Sequence, residues 1–191
     1  MLRNWMSDFC SSESKQRGHH KRDMMRTPAN CTLESLVESD ARLLADLFTC
    51  PTTREYLGGP VSAQLAVERT RNWISCSSTE PIWAIRADGN PDLLGYVLLS
   101  RHHDGNDTEI SYALQPAHWG RGYATEALKL AAHHAFSKLG LPRLLAETQA
   151  KNLKSIKLLK RIGMMEDRRV VRYGEEQIVF RLENPSLEHL K

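Results

Sequence analysis

The order of periodic segments in this chain predicts an α+β domain with a mixed, mostly antiparallel central sheet flanked by helices. Three observations carry this. Three strand-like runs follow one another with aspartate–glycine turns between the later ones, which favours antiparallel neighbours. A long amphipathic stretch then sits between two further strand-like runs, making a strand–helix–strand unit. Two more strands close the chain, and no internal repeat occurs.

The elements follow from local chemistry. "CTLESLV", Cys31 to Val37, alternates like a strand, and Asp40 stands as a helix N-cap before "ARLLADLF". "YLGGP", Tyr56 to Pro60, is a breaker. Ser62 caps a second helix, "AQLAVERTRNWI", in which Leu65, Ala66, Arg69 and Trp73 recur near the helical period. Strands are expected over Pro81 to Ala87, Leu93 to Arg101 and Thr108 to Gln115. From Thr125 to Leu139, a stripe of Ala127, Leu128, Leu130, Ala131, Ala135 and Phe136 marks a helix that Gly140 and Pro142 stop. "RLLAETQA" is the next strand, Asn152 caps the helix "LKSIKLLKRI" before Gly163, and "MMEDRRVVRY" and "QIVFRL" are the closing strands.

A chain of 191 residues suits one domain with a full core. Residues 1–26 hold six Lys/Arg and three Asp/Glu, which accounts for the whole net charge of +3. This segment lacks apolar periodicity and is expected to be a disordered basic tail, with Met24 or Met25 as an alternative start, ahead of a folded domain at 27–191. The rest is formally balanced, which argues against a nucleic-acid surface. No run of about 18 apolar residues predicts a membrane span, and no apolar core of a secretory signal opens the chain, so a cytoplasmic protein is expected. Cys10, Cys31, Cys50 and Cys76 are too scattered for a zinc or redox motif; free thiols and no metal site are expected.

"HWGRGYATEA", His118 to Ala127, is the most informative stretch. Gly120 and Gly122 permit close approach and unusual dihedrals, and the helix that follows opens with outward-pointing amides that suit phosphate oxygens. The ATP-type loop would need a closing Gly-Lys-Ser/Thr, which is absent. The dinucleotide fingerprint needs a later third small residue than Ala124 supplies.

From about Cys31 to Leu182 the chain resembles the GNAT superfamily of acyl-CoA N-acyltransferases, in particular its ribosomal-protein-alanine N-acetyltransferase branch. "EISYALQPAHWGRGYATEA", "NLKSIKLLKRIGM" and "REYLGGP" carry the resemblance. It implies a three-layer fold and acetyl-CoA as co-substrate. The loop pattern Gln/Arg-x-x-Gly-x-Gly/Ala falls on Trp119, Gly120, Arg121, Gly122, Tyr123 and Ala124, with Trp119 departing from Gln/Arg. The resemblance implies that the main chain of this loop holds pyrophosphate, with Thr125 adding a hydroxyl. It further implies that Tyr112, Ala113 and Leu114 offer main-chain groups to the pantetheine arm, while the side chains of Tyr112 and Leu114 belong to the core. Asn152 would contact the coenzyme and Ser155 the sulfur. The tyrosine acid of many GNAT enzymes would stand at Leu159, where none is available.

An amine must be deprotonated to attack a thioester, and a carboxylate can accept its proton. Glu109, at the start of the strand that approaches the coenzyme, is the first candidate base and Glu147 the second. Tyr56 and Trp73 are candidates for the acceptor wall. Three readings stand: an acetyl-CoA-dependent N-acetyltransferase, monomeric or homodimeric, acting on a protein N-terminus or small-molecule amine; a catalytically silent acyl-CoA-binding module; and an interaction domain using its basic tail.

Overall fold

The protein was analysed as a computed structural model that describes residues 30–78 and 80–190. The basic opening segment, 1–26, and the alternative starts at Met24 and Met25 lie outside the described residues. Seven strands form one sheet in the order β1-β2-β3-β4-β5-β7-β6. They are β1 (Cys31–Ser35), β2 (Ile82–Ala87), β3 (Gly95–Arg101), β4 (Thr108–Leu114), β5 (Arg143–Gln149), β6 (Met165–Arg172) and β7 (Glu175–Glu183). Every neighbouring pair is antiparallel except β4 and β5. The expected mixed, mostly antiparallel sheet is therefore present.

Five α-helices flank it: α1 (Ala41–Thr49), α2 (Pro51–Arg54), α3 (Ala63–Cys76), α4 (Tyr123–Ser137) and α5 (Leu153–Arg161). On one face α4 and α5 bury Ala127, Leu128, Ala131, Ala135 and Leu159 against Val97, Ile110, Leu114 and Phe180. On the other face α1 and α3 bury Leu44, Leu47, Phe48 and Ala66 against Ile82, Ala84, Tyr96 and Ala113. The single-turn helix α2 has no counterpart in the sequence reading. Proline at its first position sets the required φ, and four residues are too few to show a period.

The parallel pair is the irregular feature. Only Thr108 with Leu144 and Glu109 with Leu145 are in register. Beyond them β4 and β5 diverge, so the strand–helix–strand unit closes at one end and opens at the other.

Ser62 and Asn152 cap as expected, accepting the amides of Leu65 and Ser155 at 3.3 and 3.1 Å. Asp40 does not cap α1 with its side chain. Its carboxylate accepts the Val37 amide at 2.9 Å and meets Arg86 bidentately, Nη1 to Oδ1 at 3.0 Å and Nη2 to Oδ2 at 2.8 Å. Asp40 is 3% exposed, and a buried carboxylate takes charged donors before a helix amide. Among the described residues Cys31 and Cys50 are free thiols.

Removing one partner of a buried pair leaves an uncompensated charge, whereas an exposed pair matters little. Asp40→Ala is expected to lower unfolding free energy by about 3–5 kcal/mol. Glu34→Ala, which removes the half-exposed second partner of Arg86, is expected to cost less than about 1 kcal/mol. Equal losses in denaturant titration would refute this ranking.

Candidate active site

The divergence of β4 from β5 opens a cleft of about 1400 Å³ that runs through the domain. One end is lined by the glycine loop and the start of α5, the other by α2, the Glu55–Leu57 turn, α3 and β3. β4 forms its floor throughout.

The glycine loop is built for backbone exposure. A 3₁₀ turn over Pro116–His118 ends at Trp119, then Gly120 and Gly122 take φ of +71° and +94°. Gly122 is the left-handed N-cap of α4 and has no side-chain cap. The amides of Tyr123, Ala124 and Thr125 open the helix and have no carbonyl one turn behind them within it. Arg121, Lys129, Lys154, Lys157 and Arg161 line this end of the cleft, against the one acidic residue of the loop, Glu126.

Trp119 serves the loop in another way than expected. Its main-chain amide donates to the Pro116 carbonyl at 3.2 Å. Its indole Nε1 donates to the Leu114 carbonyl at 2.8 Å, and the Lys154 ammonium lies 4.6 Å from the ring centre. Trp119 thus ties the loop to the end of β4, and the Leu114 carbonyl is already engaged.

The alternation of β4 sends Glu109, Ser111 and Ala113 to the α1/α3 face and Ile110, Tyr112 and Leu114 to the α4/α5 face. Tyr112 is therefore more than core. Its phenol lies 2.9 Å from the Ser155 hydroxyl across the gap, and burial pushes its pKa up to about 12. The period-two pattern of "EISYAL" carried this signal, but the facing residue comes from a helix forty residues on. Leu159, by contrast, is 1% exposed in the core.

The two candidate glutamates are separated by their partners. Glu147 accepts from Arg172 Nε at 3.0 Å and lies 3.3 Å from His102 Nε2. His102 Nδ1 accepts the Asp104 amide, so the neutral ring carries its proton on Nε2 and donates it to Glu147. Arg172 and Arg168 both hold Asp104. Among the described residues Glu109 receives only the Ser111 hydroxyl, at 3.3 Å. Burial, opposed in part by His102 and reinforced by the Glu147 charge, raises its pKa above the usual carboxylate range.

Tyr56 and Trp73, the candidates for an acceptor wall, both line the end of the cleft away from the glycine loop. Trp73 stands edge-on to Phe48 and Tyr96, with ring centres 5.0 and 4.8 Å apart. Among the described residues no group of three His, Cys, Asp or Glu side chains is placed to hold a metal ion, and no helix is long and apolar enough to cross a membrane.

A carboxyl whose folded-state pKa is raised favours folding in its neutral form, and that contribution is lost as pH rises through the raised value. Wild type should therefore lose melting temperature relative to Glu109→Gln as pH climbs from about 4 to neutrality. A gap that stays constant across this window in thermal scans would contradict the burial of Glu109.

A family model described as an acetyltransferase (GNAT) domain matches residues 30–165. The N-acetyltransferase p20 of Bacillus licheniformis is 26% identical over 141 residues, 71% of this chain and 79% of that protein. YnaD of Bacillus subtilis, also named an N-acetyltransferase, is 28% identical over 75 residues, which span 39% of this chain and 44% of YnaD. A GNAT-family acetyltransferase from Bacillus anthracis superposes with TM-score 0.72 at 16% identity, over 82% of this chain and 96% of its own. A spermidine N-acetyltransferase from Vibrio cholerae, solved with CoA and spermine, superposes with TM-score 0.69 at 20% identity, over 81% and 95%. These structures share the splayed-sheet fold, and the domain match covers most of this chain: it belongs to the GNAT acetyltransferase family and is an acyltransferase.

Proposed function

We propose that this protein transfers the acetyl group of acetyl-CoA to a primary amine by direct attack within a ternary complex. The observation that carries the reading is one continuous cleft. It joins a positive-φ glycine loop at a helix start to a half-buried, weakly partnered carboxylate, and the diverging strands lie between them. The loop chemistry fits coenzyme A: helix-opening amides and five basic side chains face a pyrophosphate better than any neutral ligand. The coenzyme would supply an activated thioester, and Asn152, as cap of α5, would set the orientation of the turn beside it.

The residues of the chain divide the remaining work. An α-amine has a pKa of about 7.7–8.0 and a lysine-type amine about 10.4, so either must lose a proton before attack. A glutamate raised above its usual range is a better-matched acceptor for that proton, and Glu109 is so placed. Glu147, held by Arg172 and His102, instead fixes the local charge. Main-chain groups of Tyr112 and Ala113 border the gap where the acyl group must lie. Ser155 and Tyr112 form a hydroxyl pair, but a phenol near 12 is a far weaker acid than a thiol of about 8.5. The pair therefore stabilises the departing thiolate by hydrogen bonding rather than by giving up a proton.

Titration calorimetry and steady thiol release test this together. Gly122→Val, which forces a branched residue to φ of +94°, is expected to weaken coenzyme A binding at least about tenfold while the domain stays folded. Ser155→Ala is expected to keep coenzyme affinity and to lose roughly 10- to 100-fold in kcat, with Tyr112→Phe losing less. Glu109→Gln should lower kcat by about 100-fold or more. Coenzyme binding without thiol release from any amine would make the protein a silent acyl-CoA-binding module, and wild-type turnover in Ser155→Ala would return that residue to a structural role.

A further inference from the structure

Helix α3 carries one residue that packing does not explain. Ala66, Arg69, Thr70 and Trp73 recur at helical spacing, and Ala66 and Thr70 are buried. Arg69 sits within this inward stripe, half-buried, and lines the acceptor end of the cleft. An arginine so placed ordinarily has a carboxylate partner. Among the described residues Arg69 makes neither a hydrogen bond nor an ion pair.

A second guanidinium shares the space. Arg54 Nε donates to the Gly59 carbonyl at 2.6 Å and Nη2 donates to the Leu57 carbonyl. The turn of "REYLGGP" thus holds this side chain rigidly, and Nη1 makes no hydrogen bond among the described residues. Burial, opposed in part by Tyr96 and reinforced by the charge of Arg69, makes the protonated Arg54 harder to hold. Both guanidiniums act on the phenol of Tyr96, which is 6% exposed and whose hydroxyl has no hydrogen-bond partner among the described residues. Glu55 is exposed on the same turn and Glu109 lies further along β4, and neither forms an ion pair with either arginine. Two neighbouring cations with no anion between them repel, and the repulsion is relieved when a ligand supplies the anion.

The sheet ladder relates this cluster to the reaction site. Tyr96 faces Ala113, Leu98 faces Ser111 and Ser100 faces Glu109, so all lie on one face of β3 and β4. Ala113 and Glu109 are four residues apart, roughly 13 Å along the strand, and long side chains reach in from both ends. Phe48 and Trp73 form an apolar wall beside Tyr96.

We infer that the acceptor is an amine that also carries a carboxylate, with the carboxylate against Arg69, Arg54 and Tyr96 and the apolar part along Phe48 and Trp73. This rests on the acetyl-transfer reading and narrows its substrate class. Guanidinium forks match the two in-plane oxygens of a carboxylate. The same pair repels a polyamine, so a polycationic acceptor is disfavoured at this end of the cleft.

The test is steady thiol release from acetyl-CoA across amino carboxylic acids of increasing amine-to-acid spacing, their carboxamides, aminophosphonates and spermidine. The best acid is expected to exceed its carboxamide at least about tenfold in kcat/KM. Arg69→Met, which removes charge without removing any hydrogen bond within the fold, should raise KM for the acid about tenfold or more. It should leave the carboxamide and coenzyme affinity unchanged and should not lower the melting temperature, and Arg69→Lys should restore part of the loss. Spermidine or carboxamides turned over as well as the acids would overturn the inference, as would Arg69→Met slowing acid and amide alike. Preference for the phosphonates would overturn the carboxylate assignment. Thiol release from cationic amines alone would sink this inference and leave acetyl transfer standing, whereas coenzyme binding with no release from any amine would sink both.

Discussion

The structure depends on a sheet that stops pairing. Two register positions join β4 to β5, and past Glu109 and Leu145 the strands part. Main-chain groups on the facing edges then lack the partners that a full ladder would give, and such groups must be satisfied by something. The Trp119 indole takes the Leu114 carbonyl and closes one end. The remaining edge of β4 faces the gap. The parting holds because each strand is anchored elsewhere, β4 by seven register positions with β3 and β5 by seven with β7.

Charge is distributed differently along this gap. At the glycine loop, helix-opening amides and basic side chains collect around a helix start, which disposes that end toward an anion. On the neighbouring strands β4 and β5 two carboxylates meet different fates. Glu147 is compensated by Arg172 and His102, while Glu109 keeps a hydroxyl contact and a raised pKa. The β6 arginine thus tells the two glutamates apart without lining the cleft.

Much of the fold was readable because its determinants are local. Ser62 and Asn152 cap helices through residues three positions away, and Gly122 permits a left-handed turn that any other residue resists. The α4 stripe, the hairpin turns and the glycine loop all depend on neighbours within a few residues. Family resemblance then joined the loop to the splayed strand, a relation that periodicity by itself does not contain.

What tertiary structure decided is where distant side chains meet. Asp40 reads as a helix cap, yet the fold buries it beside Arg86, forty-six positions away, and the stronger donor prevails. Tyr112 reads as core, yet α5 brings Ser155 to its hydroxyl. Glu109 and Glu147 are alike in sequence and are distinguished only when Arg172 crosses to one of them. Arg69 reads as one member of an amphipathic stripe, and only the packing of α3 beside β3 leaves its charge without a partner among the described residues. The sequence determined the conformations and faces of its segments, because those energies are summed over adjacent residues. Pairing between charges and hydroxyls depends on geometry set by the whole sheet, and so was decided by the tertiary structure.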